Sequence, residues 1–259
     1  MTKAGRQPYG CAVKTILVTG GGRGIGRATA LRCAARGWSV VVNYRRDAAA
    51  ADDTVRAAQA AGGQALALCA DVALEQEVVE LFAAGTRHFG GLDGVVVNAG
   101  IVAPALPLVD MDAARLRRMV DVNVYGALLC AREAARHLSR GRGGRGGSIV
   151  LVSSAATRLG SPNEYVDYAA SKAPLDTLAL GLSKELGPQG VRVNTVRPGV
   201  IDTEIHASGG EPARAQRVGA GTPLGRPGRA QEVAEAICWL LGDEASYTSG
   251  AILDVSGGR

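Results

Sequence analysis

Aromatic residues are scarce in this sequence and make up only 4% of its 259 residues. A core must therefore be built from Ala, Val, Leu and Ile, a composition that suits parallel strands covered by helices. No run approaches the roughly 20 apolar residues that span a bilayer. Residues 1–14 are basic and polar and contain no apolar segment of the signal-peptide type. We therefore expect a cytoplasmic protein with no membrane association.

Cysteines are few, odd in number and scattered along the chain. They form no C-x-x-C pair and no Cys/His cluster, so the sequence indicates neither a disulfide framework nor a zinc site. We expect reduced thiols and no bound metal. The five are Cys11, Cys33, Cys69, Cys130 and Cys238.

The formal net charge is +5, which raises the question of a nucleic-acid partner. Residues 140–147 read RGRGGRGG and are similar to the Arg-Gly tracts of some RNA-binding proteins. The alternative is a solvated loop between a helix and a strand. Because the tract is single, short and without an aromatic residue on which a base can stack, we favour the loop and expect no nucleic-acid partner.

Short apolar runs alternate with helix-forming stretches from residue 15 to the end of the chain. This alternation predicts βαβ units and, with right-handed crossovers, a doubly wound, Rossmann-like α/β sheet of about seven parallel strands. No linker or repeat divides the chain, so we predict an N-terminal extension (1–14) and a single domain (15–259). The predicted strands are 15–19, 39–43, 64–69, 92–97, 148–152, 191–196 and 251–255. The main predicted helices are 25–36, 48–61, one reaching about 88, 112–139, 166–186 and 230–241.

A glycine-rich turn, TGGGRGIG from Thr19 to Gly26, lies between the first predicted strand and the first predicted helix. Glycine clusters are common, but in this position the backbone can approach a pyrophosphate, and the free N–H groups of the helix face its charge. The motif predicts a dinucleotide site. A tight turn without a ligand is the alternative.

The end of the second strand favours NADP over NAD. An acidic residue there would bind the ribose 2′-hydroxyl and repel a 2′-phosphate, but residues 43–46 read NYRR and the first carboxylate is Asp47. Arg23 in the glycine turn can reach the same neighbourhood, and guanidinium groups bind phosphate strongly. The alternative is that these are ordinary surface arginines.

A tyrosine and a lysine stand four residues apart in YAASK, on a predicted helix. The spacing places Tyr168 and Lys172 on one face, where an ammonium lowers the pKa of a phenol. Ser153 and Ser154 end the fifth strand, and a serine hydroxyl can donate to a substrate oxygen. Asn123, inside a predicted helix, either bonds a backbone carbonyl or holds a water next to Lys172.

Together these motifs resemble the short-chain dehydrogenase/reductase family in its compact, single-domain branch. The resemblance runs from Thr19 through NAG at Asn98, then Asn123, Ser154 and YAASK, to Pro198 and Gly199. It implies Tyr168 as general acid/base, Lys172 on the nicotinamide ribose, Ser154 on the substrate oxygen and Asn123 supporting a water in a proton relay. The stretch from Ser154 to Tyr168 is one residue longer than in many members, so Ser153 stays an alternative to Ser154.

The predicted cofactor site gathers residues from the carboxyl ends of the strands, where ligands bind in open α/β sheets. Asp71 is placed to contact the adenine, although it and the NAG turn also suit ordinary turn chemistry. The predicted cofactor-binding residues are Gly20, Gly22, Arg23, Gly24, Ile25, Gly26, Asn43, Tyr44, Arg45, Asp71, Val72, Asn98, Ala99, Gly100, Tyr168, Lys172, Pro198, Gly199, Val200, Ile201 and Thr203.

The sequence departs from the family pattern twice. Val97 replaces the first Asn of an Asn-Asn-Ala-Gly turn, which removes a polar group from the sheet edge. Pro174 follows Lys172 by two residues and removes a helical hydrogen bond to Ala170, which costs about 3 kcal/mol or kinks the helix.

The resemblance implies an NADP(H)-dependent oxidoreductase that interconverts a carbonyl and a secondary alcohol, with 3-oxoacyl thioesters and sugars as possible substrates. It also implies a homodimer or homotetramer paired through the long helices. The Gly- and Ala-rich stretch 202–223 is typical of a mobile lid but names no substrate. A non-catalytic sensor or scaffold that binds the dinucleotide is the alternative function.

Overall fold

Seven parallel strands form one sheet in the computed structural model, which describes residues 13–259. The sheet order is β3-β2-β1-β4-β5-β6-β9, and β7 and β8 form a separate parallel pair. The predicted doubly wound α/β sheet is thus confirmed. In chain order the strands are β1 (Thr15–Val18), β2 (Ser39–Tyr44), β3 (Ala65–Cys69), β4 (Gly94–Val97), β5 (Gly147–Val152), β6 (Val191–Pro198), β7 (Ile201–Asp202), β8 (Gly228–Arg229) and β9 (Ile252–Val255).

Helices cover both faces of this sheet. Most of the predicted N-terminal extension, residues 1–12 with Cys11, lies outside the described residues. The short helices α6, α8 and α9 were not predicted. The helices are α1 (Gly24–Ala35), α2 (Ala48–Ala60), α3 (Glu75–Phe89), α4 (Ala113–Val120), α5 (Gly126–Leu138), α6 (Ala156–Leu159), α7 (Val166–Leu186), α8 (Ile205–Ser208), α9 (Arg214–Gly219) and α10 (Ala230–Leu241).

Alternate residues of each central strand serve two separate cores. Leu17 of β1 packs with the residues of α3, α5 and α7, whereas its neighbour Ile16 packs with α1, α2 and α10. Side chains of a strand point to opposite faces in turn, so a strand buried on both faces is apolar throughout. This is why the apolar runs in the sequence located the strands.

The helix predicted over 112–139 is not one regular helix. A π-helical turn, Asp121–Tyr125, separates α4 from α5, and the Gly126 N–H bonds to the Asp121 carbonyl five residues earlier. Short π-turns inside helices are frequent at functional sites. Asn123 lies at the centre of this one.

Pro174 leaves α7 unbroken from Val166 to Leu186. Both Pro174 and Ala170, whose carbonyl loses its helical partner, lie on the exposed side of the helix. Water can therefore bond that carbonyl, and the helix continues through Pro174. Val97, the other departure, is buried in the core against α3, α5 and α7.

The Arg-Gly tract is a tight connection between α5 and β5. Gly147 has a φ of 140°, and a Cβ there would overlap the Asp93 carbonyl oxygen. The Arg145 guanidinium donates to the Gly90 carbonyl oxygen at 2.6 Å. The fold thus requires a glycine at position 147, and Arg145 ties the tract to Gly90 at the end of α3.

The four described cysteines carry free thiols, and the Sγ atoms of Cys33 and Cys238 lie 3.4 Å apart between α1 and α10. Among residues 13–259 no three His, Cys, Asp or Glu side chains are grouped as a metal site requires. Within the same range no helix is long and apolar enough to cross a membrane.

Candidate active site

One cleft of about 930 Å³ at the carboxyl edge of the sheet is lined by every residue predicted to bind the cofactor. Ser154, Tyr168 and Lys172 line the same cleft. Asn123 does not; it is fully buried. The structure therefore brings three of the four predicted catalytic residues to the cleft itself.

The glycine turn is held by partly buried polar contacts that the sequence did not reveal. The Thr19 hydroxyl oxygen accepts hydrogen bonds from the N–H groups of Asn98 and Ala99, at 2.9 and 3.0 Å. The Asn98 amide donates to the Thr19 carbonyl at 2.8 Å. A Cβ on Gly26 would overlap the Gly20 carbonyl oxygen and lie 2.7 Å from Asn98 Nδ2. Thr19 and Asn98 thus lock the turn to the end of β4.

Asn43 supports the turn rather than presenting its amide to the cleft. Its Oδ1 accepts from the Gly20 N–H at 3.1 Å, and its Nδ2 donates to the Ala70 carbonyl at 3.0 Å. The side chain is buried. Asn43 lines the cleft, while its amide joins the glycine turn to the chain after β3.

The start of α1 fits a phosphate group. No side chain caps this helix end, and the first turn contains no acidic residue. The first N–H groups of a helix have no partner within the helix, and its dipole favours an anion there. Asp47 also lines the cleft, but its carboxylate caps α2 by accepting from the Ala50 N–H at 2.9 Å.

Arginines surround the end of β2, but they are not equivalent. Arg45 forms an ion pair with Asp71 at 2.7 Å, so both residues are already engaged with each other. Arg23 and Arg46 also line the cleft, are exposed, and form no ion pair with any residue from 13 to 259. Arg46, which is not among the predicted cofactor-binding residues, is thus better placed than Arg45 to bind a further anion.

These features together fit a nicotinamide dinucleotide. The glycine turn gives the backbone close access, the α1 N-terminus is uncapped, and the carboxylates near the end of β2 are engaged elsewhere. The catalytic side chains lie in the same cleft. Residues for the phosphates and for chemistry at a nicotinamide therefore share one continuous surface.

Tyr168 is half-buried, and its phenol forms a hydrogen bond with the Ser154 hydroxyl. Burial raises the pKa of Tyr168 because it penalises the phenolate, while the bond to Ser154 lowers it. The net direction is upward. The phenol is thus protonated at neutral pH and ready to donate a proton.

Lys172 lies one helical turn after Tyr168. Its Nζ donates to the Val152 carbonyl at 2.9 Å and lies 6.0 Å from the centre of the Tyr168 ring. Burial lowers the pKa of Lys172 to about 8, against an opposing effect of the Asp176 carboxylate. The hydrogen bond to the Val152 carbonyl holds the ammonium at the end of β5.

Ser153 and Ser154 have different surroundings. The Ser153 hydroxyl donates to the Lys172 backbone carbonyl at 3.1 Å, which fastens α7 to the end of β5. The Ser154 hydroxyl contacts the Tyr168 phenol and accepts from the Ala156 N–H at 3.1 Å. Of the two serines, Ser154 is the one bonded to the tyrosine hydroxyl.

Asn123 joins the π-turn to the chain that follows β4. Its Oδ1 accepts from the Ile101 N–H at 2.8 Å, and its Nδ2 donates to the Ile101 carbonyl and to the Ser171 hydroxyl, both at 3.0 Å. A Cβ on Gly100 would lie 3.1 Å from Lys172 Nζ and 3.3 Å from Asn123 Oδ1. The amide thus bonds a backbone carbonyl, one of its two predicted roles, close to Lys172.

Arg115 and Asp167 form a buried ion pair that fixes the start of α7, and no motif in the sequence predicted it. The Arg115 guanidinium bonds both carboxylate oxygens of Asp167, at 2.9 and 3.3 Å, and the Pro104 carbonyl at 2.6 Å. Asp167 Oδ1 also accepts from the Tyr168 N–H at 2.8 Å. The pair joins α4, α7 and the loop after β4 beside the tyrosine.

The fold and this cleft define a dinucleotide-binding oxidoreductase, and comparison with known proteins gives the family. Residues 20–259 match the family model described as enoyl-(acyl carrier protein) reductase. The chain is 51% identical to the Escherichia coli K12 oxidoreductase YgfF over 243 residues, which cover 94% of this chain and 98% of that protein. It is 40% identical to the cis-4-hydroxycyclohexanecarboxylate dehydrogenase of Sinomonas cyclohexanicum, over 95% of this chain and 96% of that protein.

A solved structure also matches this chain over most of its length. The short-chain type dehydrogenase/reductase of Mycobacterium marinum matches with a TM-score of 0.86 and 33% identity, covering 94% of each chain. The chain belongs to the short-chain dehydrogenase/reductase family, whose members use NAD or NADP.

Proposed function

We propose that this protein is an NADP(H)-dependent oxidoreductase that interconverts a carbonyl compound and a secondary alcohol, with Tyr168 as the general acid/base. One observation carries the proposal: the Tyr168 phenol is bonded to Ser154 in the cleft that the glycine turn and Lys172 also line. Comparison with relatives supports an oxidoreductase. The choice of NADP and the role of each residue are our inferences.

The bound nicotinamide supplies or accepts the hydride. In the direction of reduction, carbonyl, NADPH and one proton give alcohol and NADP⁺, and Tyr168 donates that proton to the carbonyl oxygen. The raised pKa of Tyr168 keeps the phenol protonated for this step. Ser154 donates a hydrogen bond to the same oxygen, where negative charge develops. Lys172 holds the ribose beside the nicotinamide and favours the phenolate after the proton has left.

Arg23 and Arg46 support NADP as the cofactor. Both line the end of the cleft near β2 without a partner carboxylate among residues 13–259. Guanidinium groups form strong charge-assisted bonds with phosphate. A 2′-phosphate bound there would be neutralised, whereas the 2′-hydroxyl of NAD would leave both charges unused.

The test compares oxidation of NADPH and NADH with a panel of ketones, aldehydes, quinones, 3-oxoacyl thioesters and sugar-derived carbonyls. Arg46→Gln should weaken NADPH binding about 10-fold, the loss of one charge-assisted hydrogen bond of about 1.5 kcal/mol, and leave NADH binding unchanged. Arg142→Gln, an exposed arginine in the Arg-Gly tract, is the matched control. Equal loss for both cofactors would contradict the NADP assignment. Tight NADPH binding with no turnover on the whole panel would favour a sensor or scaffold.

We also propose that the protein assembles as a homodimer or homotetramer through α5 and α7. Large apolar side chains are exposed on or beside these helices, including Tyr125, Leu128 and Leu180. Light scattering would give the mass in solution, and Leu128→Lys should lower it. A monomeric wild type would contradict the proposal. The cytoplasmic location stays a prediction.

A further inference from the structure

The loop that precedes α7 has an unusual backbone. Ser161 and Asn163 have φ values of 45° and 63°, and they are the only non-glycine residues with positive φ between residues 13 and 259. The Tyr165 N–H donates back to the Ser161 carbonyl at 3.0 Å. Strained backbone of this kind persists where the surroundings hold it, often at functional sites.

This loop places Glu164 at the wall of the cleft. The Glu164 carbonyl accepts from the Leu106 N–H at 3.0 Å, so a second loop, the one after β4, fixes its backbone. Its side chain lines the cleft. The carboxylate therefore occupies a position set by two loops, three residues before Asp167 and four before Tyr168.

Two arginines of the lid helix α9 point to this carboxylate. Arg214 donates to Glu164 through Nη2, and Arg217 Nη2 lies 3.7 Å from the same carboxylate. Glu164 is the only hydrogen-bond acceptor of the Arg214 guanidinium among the described residues, and Glu211 lies 3.9 Å from it. Arg217 also bonds Glu211 at 2.6 Å. Glu164 is thus the principal partner of the Arg214 side chain.

Packing adds to these ion pairs. The Arg214 guanidinium lies 4.8 Å from the centre of the Tyr165 ring, and its side chain is only 12% exposed, compared with 56% for Arg217. A Cβ on Gly209, in the lid, would lie 3.3 Å from the Tyr165 hydroxyl. The lid therefore contacts Glu164 and Tyr165, the two residues that directly precede α7.

We infer that Glu164 is a positioning residue that latches α9 over the substrate end of the cleft. The inference rests on the proposed function, since it assigns the substrate end by Tyr168. Glu164 touches no reacting atom; it acts through Arg214 and Arg217. Each time the lid opens to admit a substrate, these ion pairs must break. Because Arg217 and Glu164 are partly exposed, salt should weaken the latch.

Hydrogen exchange of the lid tests the latch without any substrate. In Glu164→Gln, the amides of 205–219 should exchange about 3- to 5-fold faster, as expected for the loss of partly exposed ion pairs. Glu235→Gln, which removes an exposed ion pair with Arg32 between α10 and α1, is the control and should leave the lid unchanged. Unchanged lid exchange in both Glu164→Gln and Glu164→Ala would overturn the inference.

Kinetics separate the latch from a merely structural role. In Glu164→Gln the KM for the carbonyl substrate should rise about 3- to 5-fold while kcat does not fall, because Tyr168, Ser154 and Lys172 are untouched. The KM of the wild type should rise with salt toward that of the variant. A fall in kcat of about 3- to 5-fold, with KM unchanged, would contradict the latch. Failure of the proposed function would appear instead as full activity in Tyr168→Phe, which leaves the exchange result standing.

Discussion

Around Gly26 the cofactor end of the cleft is held by hydrogen bonds to the backbone, whereas at the substrate end α9 is attached through side-chain ion pairs. Asn43 and Asn98 bond backbone groups of the glycine turn at 3.1 and 2.8 Å. The Thr19 hydroxyl accepts from the N–H groups of Asn98 and Ala99 at 2.9 and 3.0 Å. By contrast, Arg217 on the lid is 56% exposed. The first arrangement leaves little freedom to the backbone, while the second can open and close again.

The difference explains what each end can do. A dinucleotide is the same in every reaction cycle, so a rigid backbone cradle suits it. Substrate must enter and leave, and the exposed ion pair of Arg217 with Glu164, which stabilises by about 0–1 kcal/mol, can be broken at little cost.

Gly26→Ala should have the largest effect on this comparison. The added Cβ would overlap the Gly20 carbonyl oxygen, and the turn cannot yield because Thr19 and Asn98 hold it. A strain of about 3 kcal/mol would weaken NADPH binding roughly 100-fold, measured by fluorescence titration. Gly181→Ala on the exposed side of α7, where a Cβ meets nothing within 4 Å, is the control. NADPH binding unaffected by Gly26→Ala would show that the cradle is not rigid.

Arg115→Gln should destabilise the fold more than any lid substitution. Asp167 would keep a buried carboxylate without its cation, since their side chains are 2% and 13% exposed. Leaving one partner of a buried pair unpaired costs about 3–5 kcal/mol, whereas Arg217→Gln should cost less than about 1 kcal/mol. Urea unfolding at one fixed protein concentration gives both values. Equal losses in the two variants would abolish the distinction between the two regions.

The pH dependence should show Lys172 acting in opposite directions on activity and on stability. Because the pKa of Lys172 is lowered to about 8, its charge is lost as pH rises through 8, and kcat/KM should fall by up to about tenfold per pH unit. An unfolded lysine keeps its proton to about pH 10.4. Between these values the unfolded chain binds more protons, so the contribution of Lys172 to stability increases with pH.

A pH–rate profile and urea unfolding at several pH values check both directions. Lys172→Arg keeps a permanent charge and should remove the decline of kcat/KM near pH 8, even though its overall activity is lower. If the decline persisted unchanged in that variant, another group would be responsible.

The smallest expected effect is that of salt on the two ends. Exposed ion pairs are screened, so the KM for substrate should rise a few-fold between low and high salt. The buried pair Arg115–Asp167 is screened much less, and the free energy of unfolding lost in Arg115→Gln should change little over the same range. A lid insensitive to salt would mean that packing on Tyr165 alone holds it.

Sequence reasoning located the regular elements well. The bounds of α7, Val166–Leu186, and of α10, Ala230–Leu241, were predicted to the residue. Apolar runs and helix-ending glycines are local signals. The π-turn at Asp121–Tyr125 was missed because one bond to the residue five positions earlier does not disturb the apolar periodicity.

Side-chain partners were harder to predict than positions. The residues predicted to bind the cofactor share one cleft, and most of them lie at the end of a strand or in the glycine turn. Arg45 was preferred to Arg46 because nothing in the sequence shows that Asp71 pairs with Arg45. Likewise Glu164 and Arg214 are 50 positions apart in the chain, and only the folded backbone brings them together.

The most direct test of the account is hydride transfer in Tyr168→Phe, measured in a single turnover with bound NADPH and the carbonyl compound that the panel identifies. The account predicts that NADPH binding changes less than about twofold, while the rate falls by about 10²- to 10⁴-fold, the usual contribution of a general acid. Hydride transfer at the wild-type rate in Tyr168→Phe would contradict it and remove Tyr168 from the chemistry.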